Sequence, residues 1–430
     1  MKKRVVITGI GPLSSIGEGK DLFWSNLIKA KTKVRLKKLI FDNDPPYQFY
    51  LHKVTNFKIS NFKISNDKLD EISQWKDNNE VRDLFYFIAT IKLALDDSKL
   101  CYNKKSRNIG LILAHENPGL GEFYNAFIKG SYDILSNKKN KLSQKDFLNL
   151  IFNKFGKQAY DLQTFMYIYH VSKVFDLRGF SLFINNACAS GLYAIETASS
   201  LIKSGRCDAV IISAVDYPDI FKYLWFKRIN MYSEDGKIRP FSEFSNGLVF
   251  GDGGASIVVE DLQHALNRKA HVYAEYSGGG FNLEGWKVSL PDIKGDSFKE
   301  SFFAALEQSK IKLKDIDLIN VHGVGTKILD MHEARNLIDI YSKTNNMPPV
   351  MAFKPYFGHN LGGSALLEVC ALCLCLKNNL AIPILNCETP IHKTRINYCL
   401  SKKKLRLRTA IKTCSAFAGF NGAAVFRKIN

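Results

Sequence analysis

The feature that most constrains this chain is the alternation of short apolar runs with longer helix-forming ones. Residues 4–7, 109–114, 181–184, 209–214 and 255–260 are apolar and of strand length. Between them, residues 22–29, 85–97 and 194–203 have helical composition, the last closed by Gly205. Strands alternating with helices predict an α/β protein with a mainly parallel sheet covered on both faces. A second series follows: strands at 272–276 and 316–321, helices at 296–308 and 331–341, an apolar helix reaching Leu376, and a closing pair of strands ending near Arg427. Its order resembles that of the first series, so the chain reads as two similar halves, 1–265 and 266–430.

Composition narrows the class. The 430 residues carry a formal net charge of +19, with clusters at 29–38, 138–141 and 402–408. Such a balance favours acidic partners, but the basic residues are dispersed and no recognition motif accompanies them, so nucleic acid is not expected. Nine cysteines, an odd number, with no secretory leader expected at the basic start, predict free thiols in a reducing cytoplasm. No membrane span is expected, because the longest apolar stretch, 365–376, is interrupted by Glu368. Residues 40–80 read as polar and irregular; the tandem pentamers 56–60 and 61–65 within them read as a duplication extending a surface loop. Residues 124–155 read as a lysine-rich helical excursion.

Four stretches carry chemistry. Residues 185–196, Asn-Asn-Ala-Cys-Ala-Ser-Gly-Leu-Tyr-Ala-Ile-Glu, predict a strand, a tight turn and a helix with Cys188 at the helix start. Unpaired N–H groups and the positive end of the helix dipole there favour thiolate over thiol. Val321-His322-Gly323-Val324-Gly325-Thr326 puts a histidine at the end of a buried strand, where α/β sheets place ligand sites. Lys354-Pro355-Tyr356-Phe357-Gly358-His359 puts a lysine and a second histidine in a loop leading into a helix. Residues 415–421, Ser-Ala-Phe-Ala-Gly-Phe-Asn, form a small-residue loop suited to presenting backbone N–H groups. Cys370, Cys373 and Cys375 lie on an apolar helix without a second, suitably spaced pair, so packing rather than metal binding is expected.

Together with Arg239-Pro240-Phe241 and the glycines from Gly247 to Gly254, these motifs resemble the β-ketoacyl synthases of the thiolase fold over nearly the whole chain. The resemblance implies a layered α/β/α/β/α core and a decarboxylating condensing enzyme. Its nucleophile would be Cys188, and His322 and His359 its catalytic histidines. Lys354 would set their protonation, and Glu333 would support them. The N–H groups of Cys188 and Phe417 would form the oxyanion hole, and Thr326 and Phe417 would meet the pantetheine arm. No cofactor or metal is implied beyond the phosphopantetheine of an acidic acyl carrier protein. Asp330-Met331-His332-Glu333 and the segment Phe417-Ala418-Gly419-Phe420, with Ala423 after it, resemble the ketosynthase subunit of type II polyketide synthases, which has an aromatic residue where fatty-acid enzymes usually have threonine. That subunit pairs with a silent homologue, the chain-length factor; the fatty-acid elongating synthases, usually homodimers, are the alternative. Val324, Ala416 and Ala418 depart from the family pattern, standing where a hydroxyl residue and two glycines are usual, and Ser242 and Asn246 stand where acidic residues are common.

Overall fold

Small and β-branched residues, buried on both faces, build the strands through the middle of the molecule. The computed structural model describes residues 3–39, 47–70, 72, 82–102, 106, 108–119, 131, 143–161, 163–344 and 346–429. Ten strands carry the fold: β1 (Val5–Ser14), β2 (Ile109–Ala114), β3 (Ser181–Ile184), β4 (Ala209–Asp216), β5 (Gly253–Asp261), β6 (Ala274–Leu283), β7 (Leu318–Asn320), β8 (Val350–Met351), β9 (Thr409–Ser415) and β10 (Phe420–Arg427). They join one sheet in the order β8-β7-β9-β10-β6-β1-β5-β4-β2-β3, with the short strand Gly17–Glu18 pairing β1. The order repeats. β3-β2-β4-β5-β1 in the first half has the same succession as β8-β7-β9-β10-β6 in the second, and the halves meet through Val5–Ile7 against Ala274–Tyr276.

The sheet is mixed, not mainly parallel. Parallel pairing is confined to β3-β2-β4 and β8-β7-β9; every pair between β4 and β9 through the centre is antiparallel. The link from β9 to β10 shows the reason: Ala416 to Gly419 is too short for a crossover helix, so the chain returns as a hairpin. Strands buried on both faces carry no signal of direction in their side chains.

Helices complete five layers. On the outer faces, α1 (Arg82–Ser98) packs on β1, β4 and β5, and α3 (Ser297–Ser309) on β6 and β10. Between the halves lie α2 (Ser190–Lys203) and α4 (Ser364–Asn378), each touching strands of both. They approach closely at Gly191, where a Cβ would come within 2.8 Å of the Leu366 nitrogen. Residues 361–378 are long and apolar enough to cross a membrane, more than the sequence led us to expect, but 89 % of the segment is buried inside the protein. Burying each of its leucines contributes roughly 2 kcal/mol, and Cys370, Cys373 and Cys375 pack there as free thiols.

Three outer segments differ from expectation. The tandem pentamers do not form a free loop: Ile59 and Phe62 are buried, and Phe57 meets the Tyr86 ring edge-on at 4.9 Å. The basic stretch 29–38 runs into an edge strand, Arg35–Leu39, paired with Tyr47–His52, and lysines on an edge discourage pairing with other chains. Of the excursion at 124–155, a helix at Gln144–Asp161 is seen; most of the remainder, including the 138–141 cluster, lies outside the described residues.

Candidate active site

The repeat brings the two motif loops face to face. Cys188 lies between β3 and α2; His359 occupies the equivalent place between β8 and α4. His322 follows β7, separated from it by Val321. Cys188, His322 and His359 line one narrow cavity of about 30 Å³ together with Val324, Thr326 and Phe417. That volume holds a water molecule or two but no acyl chain. Phe417 stands beside Phe226 and Trp225, at ring distances of 4.9 and 5.6 Å.

Cys188 sits on a tight elbow. Ala187 takes a left-handed φ of 49°, and the Ser190 hydroxyl accepts from the Asn186 N–H at 2.8 Å while donating to the Ala187 carbonyl at 2.6 Å. The helix proper begins at Ser190, so Cys188 precedes its cap, Ala189. The expectation of an acidic thiol is not met. Burial, then the Glu116 carboxylate and Cys414, push its pKa well above the ordinary range, and Lys354 opposes them only in part. Its S–H donates to Glu116 Oε1 at 3.8 Å.

Both histidines are neutral and present the same edge. Burial, then Lys354, hold each pKa well below 6.5. His359 Nδ1 accepts from the Leu361 N–H at 2.9 Å, so its proton is on Nε2. For His322 the Lys354 ammonium, 3.3 Å from Nδ1, has the same effect. The rings stand 5.6 Å apart at 82°, two Nε2–H donors at one cavity.

Lys354 opens a single helical turn, Lys354–Phe357, with Pro355 at its start, where a loop was expected. Gly358 after it has φ 83°, and a Cβ there would lie 2.7 Å from the Gly251 nitrogen. All three Lys354 ammonium protons are engaged, by His322 Nδ1, the His322 carbonyl at 2.7 Å and Glu368 Oε1 at 2.7 Å. Glu368 also meets Lys412 Nζ at 2.5 Å, closing a fully buried triad of two cations and one anion. Burial works against the Lys354 ammonium, but Glu368 and its other neighbours outweigh it and raise the pKa.

Glu333 holds the His322 loop by accepting from the N–H groups of His322 (2.8 Å) and Gly323 (2.9 Å) and from the Thr413 hydroxyl. Asp330, which the motif reading left without a role, accepts from the N–H groups of Phe241, Val324 and Gly325. Thr326 Oγ1, buried beside the cavity, has no hydrogen-bond partner among the described residues. Ala418 takes φ 61°, which explains why glycine suits that position, whereas Ala416 at φ −108° makes no such demand.

Sequence reasoning missed a second polar cluster next to the thiol. Glu116 Oε2 lies 3.3 Å from Lys222 Nζ, which lies 3.1 Å from Asp216 Oδ1. Asp216 Oδ2 faces His115 Nδ1 at 3.6 Å, and His115 Nε2 faces Asp83 at 3.4 Å. The signal was present, since His115 and Glu116 directly follow β2 just as His322 follows β7, at strand ends where ligand sites gather. Basic residues also gather near the entrance. Lys287 lines the cavity, and an adjoining depression of about 530 Å³ adds Lys294, Arg335 and Lys299, the last paired with Asp296 and Asp339 in the same lining. Neither the 29–38 nor the 402–408 cluster contributes a lining residue among those described.

Comparison with known proteins identifies the family. Residues 2–265 match the family model "Beta-ketoacyl synthase, N-terminal domain" and residues 273–388 match "Beta-ketoacyl synthase, C-terminal domain". The chain is 26 % identical over 437 residues to 3-oxoacyl-[acyl-carrier-protein] synthase 2 of Coxiella burnetii, covering 100 % of this chain and 99 % of that one. It is also 26 % identical over 442 residues to the actinorhodin polyketide putative beta-ketoacyl synthase 1 of Streptomyces coelicolor, covering 99 % and 89 %. In fold it resembles the ishigamide ketosynthase/chain length factor (TM-score 0.84, 21 % identity, 100 % of both chains). A second likeness is to the ketosynthase ApeO in complex with its chain length factor ApeC from Xenorhabdus doucetiae (TM-score 0.79, 18 % identity, 99 % and 98 %). With a cysteine and two neutral histidines meeting at one cavity on a repeated five-layer fold, the chain belongs to the β-ketoacyl synthase family of acyltransferases.

Proposed function

We propose that this chain is the active ketosynthase subunit of a type II polyketide synthase, joining a Cys188-bound acyl group to the unit left by decarboxylation of a malonyl thioester. What supports the polyketide branch is the sequence of two segments at the site, Asp330-Met331-His332-Glu333, whose carboxylates hold the His322 loop, and Phe417-Ala418-Gly419-Phe420, whose first ring faces Phe226 and Trp225. Substrates would arrive on the phosphopantetheine of an acidic acyl carrier protein, and the unpartnered Thr326 hydroxyl would receive one polar group of that arm. The basic residues Lys287, Lys294 and Arg335 fit an acidic carrier at the entrance. Nine free cysteines fit a cytoplasmic setting.

Each half-reaction has its residues. In acyl transfer the Cys188 sulfur attacks the acyl thioester carbon, and the N–H groups of Cys188 and Phe417 receive the charge that develops on its oxygen. In the second half, loss of carbon dioxide from the malonyl thioester places negative charge on the thioester oxygen. The His322 and His359 Nε2–H groups are aimed to stabilise it, each contributing about 3–4 kcal/mol by analogy with other oxyanion donors. The enolate carbon then attacks the carbonyl of the Cys188 thioester, the C–S bond to Cys188 breaks, and the released thiolate takes up a proton from solvent. The charged Lys354 keeps His322 in the donor tautomer.

The fatty-acid reading has one observation in its favour, the equal 26 % identity to the Coxiella enzyme. Co-expression with the carrier protein, with and without a homologous subunit lacking the nucleophile, separates the two. A product of defined mass that requires the second subunit supports the polyketide reading. Full elongating activity of the purified chain alone overturns it.

A further inference from the structure

One carboxylate beside the nucleophile is not accounted for by the half-reactions above. Glu116 Oε1 accepts the Cys188 S–H at 3.8 Å, while Oε2 faces the Lys222 ammonium at 3.3 Å. A structural role would be that of counter-ion to Lys222. That lysine already has the fully buried Asp216 at 3.1 Å, and Asp219 caps the helix Ile220–Arg228 on which it sits. Glu116 is therefore surplus negative charge. It stands where it opposes ionisation of the thiol, the reverse of what an arrangement built to store a thiolate would use.

We infer that Glu116 is the general base of acyl transfer, taking the Cys188 proton as the sulfur attacks. This rests on the condensing reading above and deepens it. The Cys188 S–H bond breaks and its proton passes to Glu116 Oε1. The sulfur forms a C–S bond to the acyl carbon, the C–S bond to the carrier's pantetheine sulfur breaks, and the departing thiolate takes the proton back from Glu116. Atoms and charge balance, and the carboxylate is regenerated. The groups around it suit the task. Lys222 clamps Oε2 and leaves Oε1 for the thiol. Burial and the neighbouring Asp216 make the carboxyl more basic than usual, while Lys222 opposes them. Burial works against the Lys222 ammonium, but Asp216, Glu116 and Asp219 outweigh it, so it remains a cation. At the thiol, Cys414 and Asp216 act in the same direction as Glu116, and Lys354 opposes them.

The test is single-turnover acylation of Cys188 by an acyl-carrier thioester, followed by intact mass, in the full chain and in Glu116→Gln. The pH profile of Cys188 alkylation by iodoacetamide is recorded beside it. A base contributes about 10²-fold or more, so acylation of the variant is expected to slow by about that factor. Its alkylation profile is expected to move to lower pH, because a negative neighbour has gone. A thiol that ionises more readily yet acylates more slowly is not what a merely structural carboxylate would give. Carbon dioxide release from a malonyl carrier, compared in a Cys188→Ala background with and without Glu116→Gln, reports whether the histidine side is intact. If Glu116→Gln disturbs it, Glu116→Asp, which keeps the charge but withdraws the acceptor, is measured in its place with the same expected loss. Acylation as fast as in the unmodified chain, or faster, in a variant with intact carbon dioxide release overturns the base role and leaves the condensing reading standing. Failure of the unmodified chain to accept any carrier-bound acyl group overturns both.

Discussion

Replacing Glu368 by glutamine removes the anion from a triad whose other members, Lys354 and Lys412, are fully buried. Breaking a buried ion pair on one side costs roughly 3–5 kcal/mol because the remaining charge is uncompensated. The cost has a ceiling, since either lysine can release its proton instead. At about pH 7.5 that release costs about 4 kcal/mol from an ordinary lysine pKa near 10.4. The ceiling falls by about 1.4 kcal/mol for each unit that pH rises. The sign follows from both sides. In the unmodified chain the raised Lys354 pKa contributes stability in full below the ordinary lysine value and loses it only at higher pH, as pH rises through the folded pKa. In the variant a depressed lysine binds fewer protons than the unfolded chain, so its deficit shrinks as pH rises. Urea unfolding of both proteins, followed by two probes at about pH 7.5 and about pH 8.5, is therefore expected to show a gap of about 4 kcal/mol that narrows by about 1.4 kcal/mol. A gap that does not change with pH would refute the reasoning, because it would mean that neither lysine is left as a strained cation.

Two further outcomes are expected. Ala418→Gly relieves a left-handed residue by roughly 1–2 kcal/mol and is expected to be neutral or stabilising, whereas Ala416→Gly, at φ −108°, is expected to destabilise by roughly 0.5–1 kcal/mol. Thermal midpoints of the two variants test this, and equal shifts of one sign would contradict it. Thr326→Val removes a buried hydroxyl without a partner among the described residues, so stability is expected to hold or rise, while KM for the carrier substrate rises about three- to tenfold; an unchanged KM would remove the hydroxyl from the binding site.

The reacting groups were legible because each is announced locally. Cys188 ends a strand and precedes a helix, His322 and His359 stand in glycine-marked loops, and Lys354 is five residues before His359. The groups that tune them were not. Glu368 and Lys412 lie on elements far apart in sequence and meet only through the fold; alone, Glu368 looked like an interruption of an apolar helix. Glu116, Asp216 and Lys222 converge in the same way from the ends of two strands and from a helix. The helix-dipole argument for an acidic Cys188 considered one local term and could not count the burial and the carboxylate that outweigh it. In the second half the helix expected at 296–308 lies within a residue of Ser297–Ser309, but the strand expected at 272–276 is Ala274–Leu283 and the helix expected from 331 starts at Lys327; the antiparallel centre of the sheet was not legible, because fully buried strands show no alternation from which direction could be inferred.

The central claim is that the two histidines serve the malonyl unit and not the acyl transfer. It is tested most directly by measuring acylation of Cys188 and release of carbon dioxide separately in His322→Ala and His359→Ala. Each variant is predicted to be acylated at Cys188 but to release carbon dioxide about 10²–10³-fold more slowly, the effect of losing one donor to a developing oxyanion. Carbon dioxide release at the normal rate in both variants would contradict the account.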